Sequence, residues 1–200
     1  CDRFGNANGH SGRSKCGSLG YAMMDAQYAK YVVVLTESLE EYPNVPASLH
    51  QDQVDCVVVV DEVGDPAKIG AGETRMTTNP KELMLARLTT KVIENSGLFK
   101  EGFSIQTGTG GASLATTVFL SEKMEAKGIT ASFGLGGITG TMVYMLKRGL
   151  IKKLLDVQSF DEFAAKSLGE NKDHIEISAN EYANPSSKGA SIKQLDIVVL

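Results

Sequence analysis

FSIQTGTGGASLATTVFLSEKMEAKG, residues 103–128, joins an apolar run to an amphipathic run through a loop with three glycines. The first five residues predict a buried strand, and residues 112–126 predict a helix with one apolar face. Gly108, Gly110 and Gly111 lie between the two. Because glycine has no Cβ, the loop leaves backbone amides open to approach. The stretch therefore predicts a strand–loop–helix unit whose backbone contacts a ligand.

The same order repeats directly downstream. We expect a strand at 129–133, a second glycine loop at 134–137, a helix over 139–147 and a strand at 151–157. This βαβαβ pattern is typical of an α/β fold with a parallel sheet. The carboxyl ends of neighbouring parallel strands meet at one edge, so both loops are expected to line the same ligand site.

The residues before 103 predict further elements of the same class. A helix is expected over 18–29, with Leu19, Ala22, Met23 and Ala26 buried on one face. Two runs, 32–36 and 54–60, are apolar at consecutive positions, which predicts strands buried on both faces.

A third helix, 79–97, has Asn79 as its N-cap and Pro80 at its first position. We place a domain boundary at this helix. Residues 1–78 and residues 79–200 then belong to different domains.

After residue 157, Ser159 and Glu162 predict a capping box that opens a helix to about Leu168. A short strand near 174–178, an Asn-rich loop over 179–189 and a final strand from about Leu195 complete the expected elements.

Composition excludes several classes of protein. The formal charge of −4 and the absence of a Lys/Arg cluster argue against a nucleic-acid surface. The longest apolar runs are far shorter than a membrane span of roughly 20 residues. The three cysteines have no metal-ligand spacing and fit a reducing cytoplasm, with Cys56 expected to be buried and inert. Since the chain starts at Cys1 and stops within an apolar run, we expect an internal piece of a longer protein.

Two phosphate-binding motifs fail at the glycine loop. A dinucleotide fingerprint would need glycine where Ser113 stands, and no G-K-[ST] sequence closes a P-loop. What remains is a set of bare amides at a helix N-terminus, which suits a phosphate, a carboxylate or a thioester oxygen that develops negative charge. The alternative is that the glycines serve only close strand–helix packing.

A second polar stretch, NANGHSGRSKCGSLG at 6–20, precedes the first helix. Ser14, Lys15 and Ser18 could bind an anion there, although helix capping and a surface loop explain the same residues. His10, His50 and His174 have no metal or triad spacing.

Glu181 could act as a nucleophilic carboxylate near a thioester, although a solvated loop residue is the simpler interpretation. No catalytic residue is identified from the sequence.

Four segments together strongly resemble the alpha subunit family of citrate lyase. They are GSLGYAMMDAQYAKYVVVLTESLEEYPNVPAS (17–48), GFSIQTGTGGASLA (102–115), FGLGGITGTMVYMLKRGLIKKLLDVQSF (133–160) and HIEISANEYANPSSKGAS (174–191). The resemblance covers essentially all 200 residues. It implies a CoA-transferase-like fold of two related domains built from βαβ units, with residues 1–78 as the C-terminal part of the first domain and residues 79–200 as the N-terminal part of the second.

The resemblance also implies an activity. In this family citrate displaces acetate from a thioester on the CoA-like arm of an acyl-carrier gamma subunit, and a beta subunit cleaves the citryl product. The exchange is expected to be direct, without a covalent enzyme thioester. CoA or the carrier's CoA-like group would be the co-substrate, no metal is expected, and the protein is expected to form oligomers in the cytoplasm.

Site residues are carried over position by position. Gly108, Thr109, Gly110 and Gly111 resemble the loop that holds the thioester arm, and Gly136 and Gly137 are carried over with them. Ser14, Lys15 and Ser18 are the hypothetical citrate contacts.

Two other functions stay open. One is a stand-alone CoA transferase for acetate or a hydroxy acid that forms a glutamyl-CoA intermediate. The other is a phosphosugar-binding sensor module, because related α/β folds hold phosphates on similar loops.

Overall fold

The computed structural model describes residues 1–69 and 74–200. Its helices are α1 (Gly20–Tyr28), α2 (Pro80–Asn95), α3 (Gly111–Lys127), α4 (Gly140–Lys147), α5 (Glu162–Glu170) and α6 (Ala179–Ala183). Its strands are β1 (Val33–Thr36), β2 (Cys56–Val59), β3 (Ser104–Thr107), β4 (Phe133–Ile138), β5 (Leu154–Ser159), β6 (His174–Glu176) and β7 (Ile197–Val199). Short 3₁₀ turns occupy Gln51–Gln53, Pro66–Lys68 and Ser191–Gln194.

The strands form two parallel sheets. β1 pairs with β2, and the other five strands form a sheet in the order β6-β5-β4-β3-β7. Every pairing in the larger sheet is parallel. The predicted α/β class with parallel βαβ units is therefore confirmed.

Helix ends follow local signals in the sequence. The Asn79 side chain accepts a hydrogen bond from the Lys81 N–H at the start of α2, and Pro80 occupies the first position. Gly128 ends α3 in the left-handed conformation, with φ +62°, where glycine is favoured. These boundaries were correctly predicted.

We call the face of the larger sheet that four helices cover its thick face, and the opposite face its thin face. One apolar cluster joins the sheet to α2, α3, α4 and α5 through large buried side chains such as Phe103, Leu120 and Met142. A smaller cluster around Leu135 and Val157 lies on the other face, where α1 and α6 contact each other. The core therefore lies between the sheet and the four helices of the thick face.

The first sheet corrects one prediction. β1 and β2 were expected to be buried on both faces, but most of their side chains, such as Leu35 and Val59, are exposed. Cys56, expected to be buried, is exposed as well. An apolar run makes a strand suitable for burial on both faces. β1 and β2 are exposed because the described residues do not cover both faces of their sheet.

The second glycine segment is also corrected. Residues 134–137 belong to strand β4, with a β-bulge between Gly136 and Gly137, and do not form a loop. A Cβ on Gly137 would lie 1.7 Å from the Phe160 ring, and one on Gly134 would lie 2.6 Å from Met142 Cε. Packing explains these glycines, because neighbouring side chains fill the space a Cβ would take. The strands expected at 129–133 and 151–157 accordingly begin four and three residues later, as β4 and β5.

Three smaller expectations differ from the structure. The face of α1 expected to be buried, including Ala22 and Met23, is only half-buried. Ser159 is the last residue of β5 and does not cap a helix. The Asn-rich segment begins with the short helix α6.

Asp161, and not Ser159, caps α5, and it also binds the next helix upstream. One oxygen of its carboxylate accepts from the Ala164 N–H at 2.9 Å, and the other accepts from the Gly140 N–H of α4 at 2.6 Å. A single carboxylate thus satisfies free N–H groups at two helix N-termini, where negative charge is favourable.

The last two features of the fold concern membrane-spanning helices and the glycine-rich stretch before α2. Across 1–69 and 74–200, no helix has the length and apolar character to cross a bilayer. Residues 64–78 are polar and rich in glycine in the sequence, and 70–73 within this stretch lie outside the described residues.

We predict that Asp161→Ala lowers the free energy of unfolding by roughly 1–3 kcal/mol, because two backbone donors lose their acceptor. Urea unfolding followed by circular dichroism measures the change. Asp25→Ala is the matched control, since Asp25 is exposed and its carboxylate has no partner within the described residues. Equal stabilities for the two variants would contradict the double cap.

We predict that Gly137→Ala destabilises the protein by about 1–3 kcal/mol or more, because its Cβ overlaps the Phe160 ring. Gly110→Ala should cost about 1 kcal/mol or less, because nothing lies within 4 Å of its Cβ position. Thermal unfolding of both variants tests the pair, and the reverse order would show that β4 is packed differently.

Candidate functional site

The candidate site lies at the carboxyl edge of the larger sheet. Since all five strands are parallel, Thr107, Ile138, Ser159 and Glu176 all end their strands at this edge. Open parallel sheets bind ligands outside the carboxyl ends of their strands. The loop after β3 and the amino-terminal segment 14–20 both belong to this edge.

The loop after β3 was correctly predicted, and its glycines are not equivalent. A Cβ on Gly108 would lie 3.3 Å from Ser113 Oγ. A Cβ on Gly111 would lie 3.0 Å from the Thr77 backbone nitrogen. Gly110 has no heavy atom within 4 Å of its Cβ position. Only at Gly110 does the missing side chain leave open space.

Gly110 is also the N-cap of the 17-residue helix α3, and no side chain caps that end. The first N–H groups of a helix lack internal acceptors, and the helix dipole makes this end positive. An anionic group or a polarised carbonyl oxygen can therefore bind at Gly110 and Gly111 without displacing a side-chain cap.

Two buried hydroxyls lie at the ends of neighbouring strands. Thr107 precedes the glycine loop and Thr139 precedes α4, and neither Oγ1 atom has a hydrogen-bond partner within the described residues. Both hydroxyls are therefore available to further hydrogen bonding at this edge of the sheet.

Gly136 and Gly137, predicted to bind the same arm, lie within β4 and not on a loop. Gly136 has φ +101°, and a Cβ there would lie 3.3 Å from the Gln106 side chain. Gln106 in turn donates to Tyr182 Oη at 2.9 Å. Contact of Gly136 and Gly137 with a ligand stays a prediction.

The amino-terminal segment forms a pocket of about 400 Å³. Ser14 and Lys15 line it together with Arg13, Glu37 and the exposed strand β1. Ser18 and the glycine loop are not among its lining residues. The structure therefore brings Ser14 and Lys15 together and places Ser18 elsewhere.

The Ser14, Arg13 and Lys15 side chains of this pocket already contact carboxylates of the chain. The Ser14 hydroxyl donates to Glu37, and Arg13 Nε lies 3.4 Å from the same carboxylate. Lys15 Nζ lies 3.6 Å from Glu170 Oε1 at the end of α5. An anionic ligand that binds Ser14, Arg13 or Lys15 would have to replace Glu37 or Glu170 as their partner.

Ser18 is buried and contacts β5. Its hydroxyl donates to the Asp156 carbonyl oxygen at 2.8 Å, and its N–H donates to Ser159 Oγ at 3.1 Å. Ser18 thus fixes the amino-terminal segment to the larger sheet, and direct contact with citrate stays a prediction.

A buried Asp–His pair supports that attachment. Asp156 Oδ2 accepts from Ser159 Oγ at 2.6 Å and lies 3.0 Å from His174 Nε2, and both side chains are fully buried. Burial raises the pKa of Asp156 above its ordinary value, and the hydrogen bond and charge of His174 oppose this shift.

Sequence reasoning missed the role of Asp156. A signal was present, since an aspartate stands inside the otherwise apolar run LLDV.

Glu176 makes the second attachment. One oxygen accepts from the Leu19 N–H at 2.6 Å, and the other accepts from Ser48 Oγ at 2.6 Å. This carboxylate holds the start of α1 and the segment before residue 50 at the end of β6. It was also missed, because only the fold brings the three residues together.

Glu181 has a structural task. Its carboxylate accepts from the Ser178 N–H and hydroxyl, which forms a capping box at the start of α6. The structure therefore shows this carboxylate in a helix cap. Within residues 1–69 and 74–200, no group of three or more His, Cys, Asp or Glu side chains is arranged to hold a metal ion.

The family model "Citrate lyase, alpha subunit (CitF)" matches residues 1–200. The citrate lyase alpha chains of Klebsiella pneumoniae and Escherichia coli (strain K12) are each 66% identical to the chain over 200 residues. These matches cover all of this chain and 39% of each relative, so the chain spans about two fifths of the length of its curated relatives.

Similar solved structures point to the same family. The alpha subunit of citrate lyase from Streptococcus mutans, determined in complex with citrate, is 57% identical and superposes with a TM-score of 0.93 over 100% of this chain and 39% of that one. A malonate decarboxylase alpha subunit from Acinetobacter baumannii has a TM-score of 0.59 at 18% identity, over 90% of this chain and 32% of that one. The second likeness concerns the fold alone.

The buried Asp2 carboxylate joins the first residues of the chain to Asn44. Burial alone would raise the pKa of its carboxyl, but donors from Asn44, Asn6 and Phe4 outweigh burial and lower the pKa from 3.8 to about 2. A depressed pKa adds stability that is fully present above pH 3.8 and is lost as the pH falls toward 2.

We therefore predict that Asp2→Asn destabilises the protein at neutral pH and that the difference from wild type shrinks between about pH 4 and pH 2. Urea unfolding at a series of pH values measures it. Asp52→Asn, at an exposed carboxylate with no side-chain partner in the described residues, is the control. A difference that stays constant down to pH 2 would contradict the assignment.

Proposed function

Because the chain belongs to the citrate lyase alpha subunit family, we propose that the full-length protein transfers a CoA-like thioester from acetate to citrate. The products are a citryl thioester and free acetate. The observation that carries the proposal is the family match over every residue of the chain, supported by a close structural relative determined with citrate.

The glycine loop supports a role in holding the thioester. Gly110 is open to approach, and the uncapped start of α3 offers N–H groups to a carbonyl oxygen. We propose that Gly108, Thr109, Gly110 and Gly111 contact the thioester arm of CoA or of an acyl carrier. Thr107, with its unpartnered buried hydroxyl, lies directly before this loop.

We propose a direct exchange. A carboxylate oxygen of citrate attacks the acetyl carbonyl carbon, the C–S bond breaks, and the thiolate leaves with its electron pair, giving a mixed anhydride. The thiolate then attacks the citryl carbonyl carbon, and acetate leaves. Each attack develops negative charge on a carbonyl oxygen, which helix N–H groups stabilise. Proximity of the two reactants supplies much of the rate, and no enzyme side chain is acylated.

We propose that the pocket of Ser14 and Lys15 binds citrate. Its two cations, Arg13 and Lys15, are held by Glu37 and Glu170, and a tricarboxylate would compete for both. This competition predicts weaker citrate binding when Lys15 is removed.

The wider assembly is part of the proposal. We propose that the chain holds parts of two related domains that meet at α2, since one parallel sheet lies on each side of this helix in the sequence. In the complete protein we propose an oligomer in the cytoplasm that works with a beta subunit and an acyl-carrier gamma subunit.

The test measures acetate release from acetyl-CoA by the full-length protein, with and without citrate. We predict citrate-dependent release that Gly110→Val lowers by about 10²-fold or more, because the side chain fills the approach to the α3 N-terminus. Gly189→Val is the matched control, since its Cβ position also has no neighbour within 4 Å. Lys15→Ala should raise the KM for citrate more than it lowers kcat.

Three outcomes would contradict parts of this proposal. Equal activity of the Gly110→Val and Gly189→Val variants would remove the loop from the site. Release that does not depend on citrate would remove the citrate function. An enzyme-bound acyl group trapped by hydroxylamine would replace direct exchange with a covalent mechanism.

A further inference from the structure

Residues 15–20, KCGSLG, lie between the pocket of Ser14 and Lys15 and the larger sheet. Lys15 and Leu19 line the pocket. Gly17 and Gly20 are buried and, in the described part of the chain, are not among its lining residues. Pocket residues thus alternate with residues packed inside the protein. We call residues 15–20 the linking segment.

Two glycines let the linking segment pack directly on the sheet. A Cβ on Gly17 would overlap the Ser159 side chain at the end of β5. A Cβ on Gly20 would overlap the carbonyl oxygen of Ile177, the residue after β6. Gly17 also has φ +85°, a conformation that other residues rarely adopt. The sequence GSLG therefore fits a close contact between this segment and the carboxyl edge of the sheet.

The Glu176 carboxylate joins two walls of the pocket to the same edge. One oxygen accepts from the Leu19 N–H at 2.6 Å, and the other accepts from Ser48 Oγ at 2.6 Å. Leu19 lines one part of the pocket, and Leu49, which follows Ser48, lines another. One side chain at the end of β6 thus holds two separate segments of the pocket.

Glu176 itself is not among the described residues that line the pocket. Both of its oxygens already accept hydrogen bonds from donors of the chain. The cations of the pocket, Arg13 and Lys15, contact other carboxylates. Glu176 can therefore affect a bound anion through the position of the pocket and not through direct contact.

The position of the pocket matters for a direct exchange between two bound reactants. The glycine loop follows β3, and Glu176 ends β6 of the same sheet. The sheet is thus a common frame for the loop and for the attachment of the pocket. Reacting atoms must be aligned about 3–3.5 Å apart, and a displacement of about 1 Å can lower a rate by about 10²-fold.

We propose that Glu176 is a positioning residue, which holds the citrate pocket where a citrate carboxylate reaches the thioester at the glycine loop. The inference rests on the proposed function, which places citrate at Ser14 and Lys15 and the thioester at 108–111. Loss of the Lys15 cation weakens citrate binding. Loss of Glu176 slows the reaction of citrate that is already bound.

The test measures citrate-dependent acetate release from acetyl-CoA by the full-length protein, and citrate binding by calorimetry without acetyl-CoA. We predict that Glu176→Ala lowers kcat by about tenfold or more and changes the Kd for citrate by less than about threefold. Glu176→Gln should keep kcat within about threefold of wild type. Its carbonyl oxygen can accept from the Leu19 N–H, and its amide can donate to Ser48 Oγ.

Glu101→Ala is the matched control. Glu101 accepts from the Thr130 N–H at 2.7 Å and lies 3.3 Å from Lys152 Nζ, so both alanine variants remove one carboxylate, one backbone contact and one side-chain contact. Glu101 precedes β3, at the opposite edge of the sheet from the glycine loop. The control should leave kcat unchanged. Thermal unfolding and the stoichiometry of citrate binding give the folded fraction of each variant.

Three results would overturn the positioning role in an active wild-type protein. Wild-type kcat in Glu176→Ala, with a lowered melting temperature, would limit Glu176 to stability. Equal loss of kcat in Glu176→Gln would assign the effect to negative charge and not to the two hydrogen bonds. A Kd for citrate raised tenfold in Glu176→Ala would assign the residue to binding.

Failure of the proposed function gives a different result. Wild-type protein would then show no citrate-dependent release of acetate, and the positioning role would be rejected with that function. Failure of the positioning role alone appears only in the Glu176 variants, while wild type remains active.

Discussion

Parallel hydrogen bonding of β4 to β3 on one side and to β5 on the other fixes the positions of the polar groups discussed above. This pairing brings the ends of the strands to one edge and places the glycine loop of α3 beside the end of β4. Parallel strands need crossover helices, and α3 and α4 supply them while covering one face. The core and the ligand edge are therefore two consequences of a single pattern of backbone pairing.

Carboxylates organise that edge. Asp161 joins the starts of α4 and α5, Asp156 supports Ser159 and through it Ser18, and Glu176 holds the start of α1. Each accepts from backbone N–H or hydroxyl donors that would otherwise lack acceptors, which is the condition under which buried charge is tolerated. The start of α3 differs, because it has no side-chain cap. Among these helix N-termini, the one next to the glycine loop is the one left open.

Local signals predicted what local physics decides. Asn79, Pro80 and Gly128 placed helix ends well, because capping and positive φ depend on neighbours in sequence. Residues 134–137 were placed in a loop because glycine is unfavourable in strands, yet Phe160 and Met142 fill the space beside two of them. Exposure of Cys56 and the partnership of Asp156 with His174 depend on distant residues. The sequence predicted which segments form the candidate site. The carboxylates that hold these segments together were found only in the structure.

The contacts of Ser18, Leu19 and Ser48 span 128 to 157 residues of sequence. A ribosome that adds roughly 5–20 residues per second needs on the order of 10–30 s to make the interval between Leu19 and Glu176. During that time Ser18 and Leu19 lack the partners on β5 and β6 that they have in the folded chain. Contacts of such long range form late and slowly. The attachment that completes the candidate site therefore forms only after Glu176 has emerged from the ribosome.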